Sequence, residues 1–119
     1  MALTLIVKKW GGVVSIMPSP VNTEVAICKP CVLFEDGKYK MWYCYRGDAY
    51  RIGYAESDDG IKFERQDEKM KTFDVGKTGS FDSYMLEYPF VFREGANHIM
   101  LYNGDGFGKT GIGIAVSEE

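Results

Sequence analysis

Two short motifs in the chain combine residue types and spacing that invite a chemical reading. Cys28-x-x-Cys31 has the spacing of a zinc-binding or redox-active pair of thiols. A structural zinc ion needs four ligands, and only Cys44 and His98 are left to complete the set. A redox pair usually caps a helix N-terminus, where the thiolate is stabilised, whereas Cys28 and Cys31 straddle the start of an apolar, strand-like run. These cysteines therefore read as small apolar residues of a core. Gly108-Lys109-Thr110 ends like a phosphate-binding loop. The first glycine of that motif would fall on Asn103, however, and the segment joins two strand-like runs instead of a strand and a helix. Neither a metal ion nor a cofactor is expected. The remaining polar and aromatic residues are scattered, and which of them meet depends on the elements that carry them.

A chain of 119 residues allows a single domain, residues 1–119. With 45% apolar and 26% charged residues it has the balance of a globular protein rather than a disordered one. A net charge of −3 without a Lys/Arg run points away from nucleic acid as a partner. No apolar stretch reaches the roughly 18 residues of a bilayer span, so no membrane is expected. Residues 1–7 lack the charged start and cleavage site of a signal peptide, and three cysteines, an odd number, suit free thiols in a reducing compartment. A cytoplasmic location is the expectation. Fourteen glycines against four prolines, with eight tyrosines and seven phenylalanines, suit short strands joined by tight turns.

The elements follow from an internal repeat. Pro30-Cys31-Val32-Leu33-Phe34-Glu35-Asp36-Gly37 is answered, 59 residues on, by Pro89-Phe90-Val91-Phe92-Arg93-Glu94-Gly95, and Met41-Trp42-Tyr43 by Met100-Leu101-Tyr102. Ile52-Gly53-Tyr54-Ala55-Glu56-Ser57 is answered by Ile112-Gly113-Ile114-Ala115-Val116-Ser117 at an offset of 60. Each unit reads as strands. Residues 31–35 form an apolar run led by a proline, which may begin a strand but not sit inside a central one. Asp36-Gly37 is a hairpin turn. Residues 38–45, 51–57 and 61–65 supply three more strands, and no helix is expected because no window holds a helical apolar stripe free of Gly or Pro. Four short antiparallel strands every 60 residues describe a β-propeller blade. The predicted fold is all-β, with blade one at about 30–66 and blade two at about 89–117. The second unit stops where its fourth strand should begin, while residues 3–10 supply a strand ahead of blade one. The two blades are thus circularly permuted, and residues 111–117 form an edge to be covered by residues 3–10 of a neighbouring copy.

Adjacent strands of a blade alternate in direction. The linkers into each first strand, the starts of those strands, and the loops between second and third strands therefore share one rim. Lys29, Arg46, Asp48, Tyr50, Asp82, Glu87, Tyr88, Asp105, Phe107 and Lys109 converge there. Asp36, Asp58, Asp59 and Asn97 fall on the opposite rim as turn residues. His98 belongs near that rim too, which removes it from the thiols.

The segments "PCVLFEDGKYKMWYCYRG", "YRIGYAESDDGIKFER", "EYPFVF" and "MLYNGDGFGKTGIGIAVSE" resemble the five-bladed β-propeller glycosidases of the arabinanase, levansucrase and invertase superfamily, with the related mannoside phosphorylases. The resemblance covers about residues 24–119, two blades of five. It implies a carboxylate triad on the propeller axis, with the acid/base Glu in a Glu-x-Pro motif, matched by Glu87-Tyr88-Pro89. The transition-state-stabilising Asp is implied directly before the proline of the preceding blade, where this chain has Lys29, and the third carboxylate lies on a blade the chain does not contain. Glu87 is then a general acid needing a second carboxylate about 5–9.5 Å away, a cap on backbone N–H groups, or the structural partner of Lys29. Tyr50, Tyr88 and Phe107 are placed to stack on sugar faces.

Two functions follow from these residues. One is a glycosidase-like module that binds carbohydrate without turnover, or only assembles; the other is a minimal glycoside hydrolase with an axial site shared between subunits. Both expect the chain to partner itself in a closed homo-oligomeric ring, because a head-to-tail contact must close or run on as a filament. A trimer of six blades is expected ahead of a dimer of four, since bulky Trp42 and Tyr54 between sheets argue against the tightest ring.

Overall fold

The fold was obtained as a computed structural model, which describes residue 8, residues 11–20 and residues 23–117. The strand expected over residues 3–10 lies outside them, residue 8 excepted. Seven strands are found among the described residues: β1 (Ala26–Glu35), β2 (Lys38–Arg46), β3 (Tyr50–Ser57), β4 (Glu64–Arg65), β5 (Glu87–Glu94), β6 (Asn97–Asn103) and β7 (Ile112–Val116). They form two antiparallel sheets in the orders β1-β2-β3-β4 and β5-β6-β7. The fold is all-β, as expected; one turn of 3₁₀ helix, Asp67–Met70, is the exception. The fourth strand of the first sheet is two residues long instead of the five expected, because the Asp59 carboxylate binds the N–H groups of Ile61 and Lys62 and holds that stretch in a turn.

Both first strands begin earlier than the prolines suggested, at Ala26 and Glu87. Each proline sits at a bulge, where the pairing register shifts between Cys28 and Cys31 and again between Glu87 and Phe90. A bulge removes the need for the missing proline N–H. The residue ahead of each proline takes a left-handed conformation, φ 55° at Lys29 and 56° at Tyr88. Few non-glycine residues adopt it, and fewer before proline. The same strained kink at the same repeat position shows that the two sheets are copies of one unit.

The glycines of the repeat have a packing role. Gly53 is the register partner of Tyr43, and Gly113 of Tyr102. Each tyrosine ring lies flat over its glycine, so that a Cβ on Gly53 would stand 2.6 Å from Tyr43 Cζ. The hydroxyls then reach carboxylates of the connecting segment: Tyr43 donates to Asp67, and Tyr102 to Asp82 at 2.9 Å.

The core lies between the sheets. Trp42, Ile52 and Tyr54 of the first sheet meet Val91, Met100 and Tyr102 of the second and Leu86 just ahead of it, with Phe73, Val75 and Phe81 of the linker wedged against them. The outer face of the first sheet buries Met41, Tyr43 and Ala55 under Ile16 and Phe63. Arg65 pins that covering segment, donating to both oxygens of Glu24 at 2.7 and 2.9 Å while also bonding Asp67.

Candidate functional site

The kink that opens β5 creates the site. Leu86 N–H donates to Tyr50 O (3.0 Å) and Tyr88 N–H to Cys44 Sγ (2.8 Å), so the start of β5 is held against the end of β2 and the start of β3. Glu87, between these two anchors, is fully removed from solvent, and neither carboxylate oxygen has a hydrogen-bond partner. Burial raises its pKa from an ordinary 4.5 to about 7. An unpartnered buried carboxyl is costly in a folded protein, and such groups concentrate where chemistry is done.

Around Glu87 the rim presents rings and cations. The Phe107 ring centroid is 6.1 Å from that of Tyr50 and 6.5 Å from that of Tyr88. Lys29 Nζ lies 5.2 Å from the Tyr88 ring centroid, and the Arg46 guanidinium 5.8 Å from that of Tyr50. Burial, with the nearby charge of Glu87, raises the phenol pKa of Tyr88, and Tyr50 shifts the same way with Cys28 among its neighbours. Phe107 is exposed at the tip of the β6–β7 loop, where Gly106, Phe107, Gly108 and Gly111 all have positive φ.

Six of the ten rim residues are therefore gathered: Lys29, Arg46, Tyr50, Glu87, Tyr88 and Phe107. Asp82 and Asp105 lie nearby but are engaged. Asp82 accepts from Tyr102 and Ser80, and Asp105 from Ser83 Oγ and the N–H groups of Tyr84 and Met85. Asp48 and Lys109 are exposed on the flanking loops, and among the described residues no hydrogen bond joins them to the cluster.

The expected Lys29–Glu87 pair is not made. The repeat position of Lys29 is that of Tyr88, not of Glu87, and successive strand residues point to opposite faces. The counterpart of Glu87 is Cys28, which pairs in register with Cys44 just as Glu87 pairs with Asn103. Cys44 also belongs to the site, beside Cys28 in register and under the Tyr88 N–H, and no motif in the sequence marks it. Its thiol is pushed up to about 12, chiefly by burial, and stays protonated. The bulge also separates Cys28 from Cys31, whose Sγ faces Val91 across the sheets, so Cys28-x-x-Cys31 is not a unit. No metal-ligand cluster is found among the described residues.

No family model matches the chain. Among solved structures, a Bacteroides ovatus protein assigned to the glycoside hydrolases superposes with a TM-score of 0.69 at 25% identity, over 99% of this chain and 39% of its own. A family 117 glycoside hydrolase of the marine bacterium Zobellia galactanivorans superposes at 0.65 and 14% identity, over 92% of this chain and 39% of its own. The chain has the fold of two blades of a glycosidase β-propeller. These neighbours are five-bladed, and the chain matches them as a fragment. An uncharacterized protein of Mycobacterium tuberculosis is 50% identical over 93 residues, 78% of this chain. The chain spans 30% of that relative's length.

Proposed function

We propose that the rim is a carbohydrate-binding face and that the protonated carboxyl of Glu87 is a hydrogen-bond donor within it. The observation that carries this reading is the buried, unpartnered carboxyl of Glu87, raised to about 7 and therefore still about half protonated at neutral pH, where an ordinary carboxyl is almost fully ionised. A glycosidic oxygen needs such an acid, and desolvation is the usual way of providing one. Tyr50, Tyr88 and Phe107 offer apolar faces for a sugar ring, and Lys29 and Arg46 offer donors for its hydroxyls. Hydrolysis also requires a second carboxylate about 5–9.5 Å away. The counterpart position in the first sheet holds Cys28, and Asp82 and Asp105 are already bonded. The two blades alone therefore bind sugar without turning it over.

A panel of nitrophenyl glycosides tests this, with binding followed by intrinsic fluorescence and turnover by released nitrophenol. Saturable binding without turnover is expected, weakened about tenfold in Phe107→Ala and retained in Glu87→Gln. Turnover by wild type that disappears in Glu87→Gln would replace the binding reading with that of a minimal hydrolase. Absence of binding to every glycoside would overturn both.

A further inference from the structure

Two thiols meet on the first sheet beneath the start of β5. Cys28 of β1 and Cys44 of β2 are register partners, so both side chains leave the same face of the sheet. Directly opposed residues of an antiparallel pair have Cα atoms about 4.5–5.5 Å apart, within the span of a disulfide. Ionisation of Cys44 is disfavoured by burial first and then by Cys28 beside it. Both are free thiols in this structure.

Their surroundings differ. Cys28 is partly exposed at the rim, whereas Cys44 is fully buried and its Sγ accepts the Tyr88 N–H at 2.8 Å. Tyr88 is the residue held at φ 56°, so the Cys44 sulfur supports the kink next to Glu87. Cys31 is engaged elsewhere: its Sγ accepts the Val91 N–H at 3.3 Å and its thiol donates to Val91 O at 3.6 Å, beyond the register shift that follows Cys28. The accessible thiol of Cys28 therefore has Cys44, and not Cys31, as its sulfur neighbour.

We propose that Cys28 and Cys44 form a reversible disulfide, with a low-molecular-weight disulfide such as oxidised glutathione as the oxidant, and that its formation loosens the Tyr88 anchor beside Glu87. The Cys28 thiolate attacks one sulfur of the oxidant, forming a mixed disulfide and expelling one glutathione thiolate. Cys44 then gives up its proton and attacks the Cys28 sulfur, expelling the second glutathione. Two protein thiols are oxidised, one small disulfide is reduced to two thiols, and the two protons end on the glutathiones. The second step is the slower, because the Cys44 thiol is pushed up to about 12; the register offsets this by holding it against its target. The Cβ atoms of such a pair start about 4.5–5.5 Å apart, against roughly 3.5–4.5 Å in a relaxed bridge. The bond therefore draws the Cys44 sulfur toward Cys28 and away from the Tyr88 N–H, and its strain keeps it readily reduced.

Peptide mapping of the folded chain after incubation with oxidised glutathione tests the pairing. A Cys28–Cys44 bridge is expected, with Cys31 recovered as a free thiol and the bridge undone by dithiothreitol. Cys31→Ser is expected to form the same bridge and Cys28→Ser none. Amide hydrogen exchange at Tyr88 is expected to quicken about tenfold on oxidation and to return on reduction, a readout that needs no sugar. Glutathione retained on Cys28 without a bridge, a Cys28–Cys31 bridge, or a bridge that forms only in urea would overturn the pairing. A Cys28–Cys44 bridge that leaves exchange at Tyr88 unchanged would overturn its link to the Glu87 rim.

Discussion

A carboxyl with no partner sets the pH behaviour at Glu87. Its folded pKa of about 7 lies above the ordinary 4.5, so the folded state holds a proton that the unfolded chain releases between those values. The favourable contribution is complete below about pH 4.5 and is lost as the pH rises to about 7. Glu87→Gln keeps the shape and removes the titration. The variant is expected to match wild type near pH 4.5 and to exceed it by about 1–2 kcal/mol at pH 8, a figure discounted for water at the rim. Urea titrations at the two pH values measure it. A constant difference would mean that Glu87 does not titrate in this window. The Glu-x-Pro spacing made this residue legible in the sequence. Its neighbours were less so, because the kink at Tyr88 reverses which side chains face inward, and no residue pattern announces a left-handed φ ahead of proline.

At the scale of the strands, the offset of 59–60 was the strongest signal, and it carried the pairing of β1 with β2 and of β5 with β6. It did not carry strand starts or the length of β4. Proline was read as a first residue when it marks a bulge, and a competing aspartate turn shortens β4. What the repeat did encode is the glycine beneath each tyrosine. Intrinsic preference alone says that Gly53→Ala should stabilise a strand by about 0.5–1 kcal/mol. The new Cβ would meet both Tyr43 Cζ and Asp67 Oδ1 at 2.6 Å. Neither can retreat: the ring is 1% exposed, and the carboxylate accepts from Tyr43 and from Tyr54 N–H while Asp67 Oδ2 holds Arg65. The substitution is expected to cost about 2–3 kcal/mol. In a domain of this size that lowers Tm by roughly 10 °C, readable by calorimetry. A rise in Tm would show that propensity outweighs packing here.

Across the whole molecule the seam between the sheets has different chemistry at its two ends. At the rim of Glu87 a carboxyl is buried alone. At the far rim Glu35, closing β1, lies 2.6 Å from His98 Nε2 and accepts from Arg93 at 3.0 Å, both of the second sheet, and from Lys40 at 3.2 Å. Burial opposes the charge of Glu35, but the bonds from His98, Lys40 and Arg93 outweigh it and hold its pKa below the ordinary 4.5. The sign is therefore opposite to that of Glu87. Glu35 stabilises the folded state above about pH 4.5, and the contribution is lost as the pH falls through its folded pKa. Together the two carboxyls bound a stability maximum near pH 5, one limb falling toward acid and the other toward neutral pH. Glu35→Gln is expected to lower stability by about 1–2 kcal/mol at pH 6 and to make the acid limb alone shallower, the rest of that limb belonging to Glu56, Asp59 and Asp105, which hydrogen bonds also hold below the ordinary range. Glu87→Gln flattens the other limb alone. Six residues of β5 separate the two rims, about 20 Å, so the double variant should show the sum of the two effects to within about 0.5 kcal/mol. Urea stability curves from pH 3 to pH 8 for the four proteins test this. Coupling beyond that value would mean that the seam transmits charge from one rim to the other, and an acid limb left unchanged in Glu35→Gln would move its origin wholly to the other carboxylates.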